Sequence, residues 1–309
     1  MIDRRWVLGA TLAALAGGAA ARPKGRFDPR DLDGIWNLGS YTELERPKGI
    51  ERLVMTPAQA AAYEAPRRAG RGELPSEPDD PVGQNQSEWN DRGTGLARVK
   101  GQIRSSTIVD PPDGKLPYRP WAAAVAKNGA MDDPETMGGT TRCMVSVAAL
   151  PPMLGAPDAN LVQFLRAGAE LVIVAEKYHD ARIVRLGTRL AAGADPPGFL
   201  GSSVGRWDHD TLVVETAGFP PGVIYRGQRS LVSGATRVTE RLTRLRADEI
   251  HYAFTVEDPD LYTRPWRGEM TLRRSAGRIF EYACHEGNYS LPGMMAGARR
   301  EEREARGGR

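Results

Sequence analysis

The sequence predicts an all-β protein built as an antiparallel barrel, with long N-terminal loops and a short C-terminal helix. Two observations predict it. From residue 161 onward, short apolar segments recur at spacings of about 8 to 15 residues with turn formers between them, the pattern of a meander that closes as a barrel or sandwich. No long amphipathic pattern lies between those segments, which argues against alternating β-α units and a parallel sheet.

Taken in order, residues 1–21 carry Asp3-Arg4-Arg5-Trp6, an apolar stretch from Val7 to Ala16 and small residues through Ala19-Ala20-Ala21. That is the layout of an export signal. Adjacent arginines before Trp6-Val7-Leu8 resemble the twin-arginine signal, which routes folded cargo; an ordinary secretory signal with a basic start is the alternative. The apolar run is far short of the roughly 20 residues that a membrane-spanning helix needs. The expected mature chain is one barrel-like domain over 22–309, periplasmic or secreted, with an irregular arm over about 40–160.

The formal net charge of +3 falls to about +2 once the signal is removed. Basic residues are interleaved with acids, as in Arg299-Arg300-Glu301-Glu302-Arg303-Glu304, so no nucleic-acid stripe or polybasic membrane patch is expected. The expected partner is a small-molecule ligand or substrate. Export also bears on the two cysteines: in an oxidising compartment Cys143 and Cys284 are expected to pair, with a catalytic thiolate as the weaker reading.

The first strand follows Asp31-Leu32-Asp33 as Gly34-Ile35-Trp36-Asn37. Its Gly-x-Trp resembles the start of lipocalin-like barrels, in which the tryptophan plugs the closed end. A helix is predicted from Thr56, an N-cap residue with Pro57 at the first helical position, through Glu64. Pro75 to Asn90 reads as loop. Strands are then predicted at Leu171–Ala175, Ala181–Leu186, Val204–Trp207 and Thr211–Thr216, the last two forming a hairpin across Asp208-His209-Asp210. Further strands are expected at Arg237–Leu245, Ile250–Glu257, Gly268–Arg274 and Arg278–Cys284, and a helix from about Met294 to Arg306.

Polar residues at strand ends are the candidates for chemistry, because rims face cavities while the strands beneath hold them rigid. In Cys284-His285-Glu286-Gly287-Asn288-Tyr289 the turn formers end the strand and leave His285, Glu286, Asn288 and Tyr289 at a rim. Glu176-Lys177-Tyr178-His179-Asp180-Ala181-Arg182 sets His179 between two strands, flanked by carboxylates and a guanidinium. A neutral imidazole beside a carboxylate serves as a general base near neutral pH; the bland alternative is a turn histidine bonded to backbone. Glu257-Asp258-Pro259 supplies paired carboxylates or a turn opener. His209 reads as an exposed turn residue, and His251 as facing solvent or cavity.

No HExxH, HxH or CxxC spacing occurs, so a metal site would have to be assembled from His179, His285 and an acid. Gly201-Ser202-Ser203-Val204-Gly205 has the letters of a nucleophile elbow but precedes a hairpin, not a helix. Glycine-rich nucleotide motifs are missing, and no organic cofactor is expected.

Four stretches, "YHDARI", "GRWDHDTLVVET", "FTVEDPDLYTRPW" and "YACHEGNYSL", resemble motifs of a large family of exported, mostly uncharacterised proteins of soil and aquatic bacteria. The resemblance runs over about residues 30–300. His209 departs from it, standing where the family's GRWxGD turn has glycine.

Together these residues lead us to expect cofactor-independent acid-base chemistry on a small organic molecule: elimination, isomerisation or hydrolysis. His179 or His285 takes the proton and Asp180, Glu257 or Glu286 orients it or acts as the acid. Arg182 or Asn288 stabilises developing negative charge, and Tyr289 is a second acid. The competing expectation is a lipocalin-like carrier whose rim residues only orient a ligand. A structural envelope protein without a cavity is the third.

Overall fold

The computed structural model describes residues 27–69, 91, 93–128, 142–156, 159–187, 198–225, 230–287 and 289–307. The expected export signal and the expected loop at 75–90 lie outside the described residues. In chain order the elements are β1 (Gly34–Asn37), β2 (Val54–Met55), α1 (Pro57–Ala69), β3 (Arg98–Val99), β4 (Gln102–Arg104), β5 (Ile108–Asp110) and α2 (Pro120–Asn128). Then come β6 (Leu161–Ala167), β7 (Glu170–Ala175), a 3₁₀ turn (Lys177–His179), β8 (Ala181–Leu186), β9 (Ser202–Asp208), β10 (Thr211–Ala217), β11 (Val223–Tyr225) and β12 (Leu231–Ser233). The chain ends with β13 (Arg237–Arg246), β14 (Glu249–Glu257), β15 (Trp266–Arg274) and α3 (Ser290–Gly307).

Nine strands close a barrel in the order β1-β6-β7-β8-β9-β10-β13-β14-β15, and β15 returns to β1 through Trp36 opposite Arg274. The expected antiparallel barrel is therefore present, mixed at one place. A closed ring with an odd number of strands cannot alternate direction throughout, so at least one neighbouring pair must run parallel. That pair is β8–β9, with Val184 opposite Ser203. Residues 187–201 supply the long connection that parallel neighbours need.

Closure also explains one departure. Arg278–Cys284, expected as a strand, lies outside the sheet: 278–283 have no regular secondary structure and Cys284 stands in a turn. The free edge of β15 is already occupied, by β1 at Arg273 and Arg274 and by β5 at Arg267 and Gly268. No ladder remains for the segment to join, and it crosses the outside of the barrel as a strap.

The expected irregular arm carries some order of its own. β2, β4 and β3 form a small outer sheet, and α1 begins with a capping box in which Thr56 Oγ1 accepts the Gln59 amide at 3.2 Å and Gln59 Oε1 accepts the Thr56 amide at 2.9 Å. Their small core is Tyr41, Met55, Ala60, Leu96 and Ile103. The C-terminal helix begins earlier than expected, at Ser290.

Inside the barrel the strands bury Val162, Phe164, Ile173, Val184, Leu212, Val238, Tyr252 and Leu272 in one core. That core also takes Val145, Ala148, Leu150, Met153 and Leu154 from the segment ahead of β6, so the interior is plugged by the chain itself. A polar chain ties plug to wall. The Met153 amide donates to Tyr252 Oη at 2.8 Å, Tyr252 Oη donates to Glu240 Oε1 at 2.6 Å, and Arg182 meets both oxygens of Glu240 at 2.9 and 3.1 Å. Burial and the Glu240 carboxylate push the Tyr252 phenol well above its ordinary pKa, so it stays a donor.

Trp36 is fully buried, its Nε1 donating to the Leu32 carbonyl at 2.9 Å, with the guanidinium carbons of Arg274 and Arg244 at 5.3 and 5.8 Å from the ring centroid. Gly34 is needed there: a Cβ at its φ of +133° would fall 2.2 Å from the Arg274 guanidinium.

Candidate functional site

Strand directions fix which connections share an end of the barrel. β7 runs into the 3₁₀ turn and β8 leaves it; β10 and β14 end, and β9, β13 and β15 begin, at that same end, here called the top. Two features occupy the top: a latch around the 3₁₀ turn, and a groove above β10, β13 and β14.

The latch holds the strap. The Cys143–Cys284 disulfide forms, with its Cα atoms 5.9 Å apart. The Phe280 amide donates to Glu176 Oε1 at 3.0 Å, and His179 Nε2 lies 3.0 Å from the Phe280 carbonyl. A carbonyl only accepts, so in this contact Nε2 carries the proton. Tyr178 and Tyr282 meet edge to face at 5.3 Å, and the buried Lys177 places Nζ 5.2 Å and 5.7 Å from their centroids. Asp180 accepts the Ser146 amide at the entrance of the plug, while burial pushes its carboxyl above the ordinary aspartate range against the pull of that bond. Tyr178, His179 and Cys143 have φ of 67°, 52° and 53°, three of the five non-glycine residues in the left-handed region among the described residues. Backbone strain of this kind persists where the surroundings enforce it.

The expected site residues are divided by this arrangement. His179, Asp180 and the Cys284 strap come together. His285 and Glu286 are exposed in the turn that follows Cys284, Tyr289 is 86% exposed, and Asn288 lies outside the described residues. Arg182 is not at the rim: it is 1% exposed inside the barrel and paired with Glu240. Glu257 is exposed at the end of β14, about half-way round the ring from the latch.

His209 is the exposed turn residue expected, and its φ of 53° is the physical reason a glycine suits that position. His251 faces neither solvent nor cavity. It lies buried with Nε2 3.6 Å from Glu269 Oε2, and the Arg104 guanidinium of the outer sheet approaches the same carboxylate at 3.2 Å. Among the described residues no group of three or more His, Cys, Asp or Glu side chains converges to hold a metal ion, and no helix is long and apolar enough to cross a membrane.

The groove has a volume of about 800 Å³ and was not anticipated. Arg119 and Trp121 form one wall, Pro221 and Gly222 a second, Ser233 to Ala235 a third, and Pro259 with Asp260 the fourth. Asp258 builds two of these walls from beneath. Its carboxylate accepts Ser233 Oγ at 2.7 Å, Thr236 Oγ1 at 2.5 Å and the amides of Asp260 and Leu261 at 2.9 and 3.0 Å. Of the two roles expected for Glu257-Asp258-Pro259, this is the turn opener.

The wall at the start of α2 is fastened to the same loop. The Arg119 amide donates to the Leu261 carbonyl at 2.8 Å, Arg119 Nε to the Pro259 carbonyl at 2.8 Å, and Tyr118 stacks on Tyr262 at 4.9 Å. The sequence signal was Arg119-Pro120-Trp121: proline opens a helix well, and the tryptophan then stands on its exposed first turn.

No family model matches this sequence, and no curated protein matches it.

Proposed function

We propose that this chain is an exported barrel protein that binds a small molecule, with the ligand seated in the top groove. The groove carries the proposal: it is a preformed cleft with a half-exposed indole, a guanidinium and a carboxylate on walls cross-linked by Asp258 and Arg119. Binding sites pair apolar surface with a few placed polar groups on a rigid frame in this way. The plugged interior favours the groove over a lipocalin-style cup. The twin-arginine-like start, the disulfide and the motif resemblance support export.

Ligand-observed NMR of the mature chain against a library of small polar and aromatic compounds tests the proposal. Hits are expected whose signals vanish with Trp121→Ala at an unchanged melting temperature. A library screen in which no hit depends on Trp121 overturns it.

The latch favours a second reading, acid-base chemistry. It brings together Asp180 with its raised pKa, the Nδ1 of His179 and the phenols of Tyr178 and Tyr282 under backbone strain, a setting of the kind that enzymes use to tune proton transfer. Turnover of candidate lyase or hydrolase substrates that is lost with both Asp180→Asn and His179→Gln would establish it.

A further inference from the structure

Resting on the reading of the top groove as the ligand site, we infer that its ligand is a neutral saccharide, a mono- or short oligosaccharide. The charge pattern of the walls points there first. Arg119 and Asp260 line the same cleft, and among the described residues neither side chain forms an ion pair. A simple anion would satisfy Arg119 and meet Asp260 with like charge; a simple cation would do the reverse. A hydroxyl donates and accepts at once, so vicinal hydroxyls engage the guanidinium as acceptors and the carboxylate as donors without net charge.

The polar groups are also held for that task. Arg119 Nε is fixed on the Pro259 carbonyl at 2.8 Å, which orients the guanidinium plane and leaves its two amino groups as donors with no partner among the described residues. Asp260 is anchored through its own amide to Asp258 Oδ1 at 2.9 Å, leaving the carboxylate to the groove. Planar side chains held this way pair with two neighbouring oxygens at once.

Trp121 supplies the apolar half of the contact. It is 47% exposed, and no other tryptophan is exposed among the described residues. The faces of a sugar ring present C–H groups with partial positive charge, which suit the negative face of the indole. The shape agrees. An apolar ligand is best served by an enclosed cavity that removes it from water, whereas this cleft is open along the barrel end, so the outer face of a bound sugar stays hydrated and a longer chain has room to pass.

The test is isothermal titration of the mature chain with maltose, cellobiose, xylobiose, mannobiose and chitobiose, beside a matched set of aromatic carboxylates and aromatic amines. At least one neutral saccharide is expected to bind with little dependence on salt, because no net charge is brought to the site. Trp121→Ala is expected to weaken it by about tenfold or more, and Asp260→Asn and Arg119→Gln to weaken it as well, all three side chains being exposed enough to be replaced without unfolding. If carboxylates or amines bind in a Trp121-dependent way and no saccharide does, the saccharide class is overturned while the groove stands as the site. If nothing in either set responds to Trp121→Ala, both the ligand class and the groove reading fall.

Discussion

Asp180 shows what one carboxyl contributes at the top of the barrel. Burial raises its pKa above the value near 3.9 of an unfolded chain, so the native state holds that proton more tightly. The stability Asp180 contributes is therefore full below the unfolded value and lost as pH rises through the folded one. Glu269 has the opposite sign. The His251 imidazole, its Nε2 3.6 Å away, is the largest influence lowering its pKa, so its contribution is present above the unfolded value and lost as pH falls through the folded one. Because both titrate in acid, the total pH profile mixes them, and a difference against Asp180→Asn isolates one. That variant keeps an oxygen for the Ser146 amide and removes the ionisation. The melting temperature of the wild type minus that of the variant should fall as pH rises above the ordinary aspartate range near 4, and a flat difference would show that Asp180 titrates as in the unfolded chain. At this scale the sequence was legible where chemistry is local, as in the pairing of Cys143 with Cys284, the turn at His209 and the cap at Thr56. Arg182 was misplaced because period two in β8 sends the arginine inward and leaves Ile183 51% exposed, the reverse of hydrophobic expectation. Its partner carried a readable signal: Glu240 stands between Val238 and Leu242 on the inward-facing positions of β13.

Among the elements, the strap shows where pattern reading stops. Phe280, Tyr282 and Cys284 alternate like a strand, but strand formation needs an open edge, and that is decided by the far-off pairing of β15 with β1 and β5. β9–β10 and β13–β14–β15 were legible because each hairpin closes within its own neighbourhood. The groove was not, since its walls come from four separate stretches of sequence. Without ladder bonds the strap depends on the disulfide, which spans 141 residues. Chain entropy over a loop of that length corresponds to about 5 kcal/mol before strain and residual structure reduce it. Reduction, or Cys143→Ser with Cys284→Ser, is expected to lower global stability by up to that amount. Amides of 280–287 should then exchange rapidly while those of β13 and β14 remain protected. Unchanged protection in 280–287 would mean that the Glu176, His179 and tyrosine contacts hold the strap unaided.

Across the whole molecule, stability is expected to be graded by the two cores. The barrel and plug share one cluster that includes Trp36, Phe164, Met153, Tyr252, Phe254, Trp266 and Leu272, whereas the outer sheet and α1 rest on five buried residues. Polar contacts link them: Arg104 to Glu269, and Thr271 Oγ1 to the Arg98 carbonyl at 2.8 Å. Polar contacts at a partly exposed seam contribute roughly 0.5–1.5 kcal/mol each, much less than the burial of large apolar side chains inside the barrel at about 1.5–3 kcal/mol each. The outer sheet should therefore open as a unit below the global transition. Hydrogen exchange in low urea is expected to show β2, β3 and β4 exchanging together with a lower free energy and a shallower dependence on urea than β10, β13, β14 and β15. Met55→Ala should lower the protection of the outer sheet and leave that of the barrel unchanged. If all these amides share one free energy and one slope, the outer sheet and the barrel are a single cooperative unit, and the seam through Glu269 binds them more firmly than its contacts suggest.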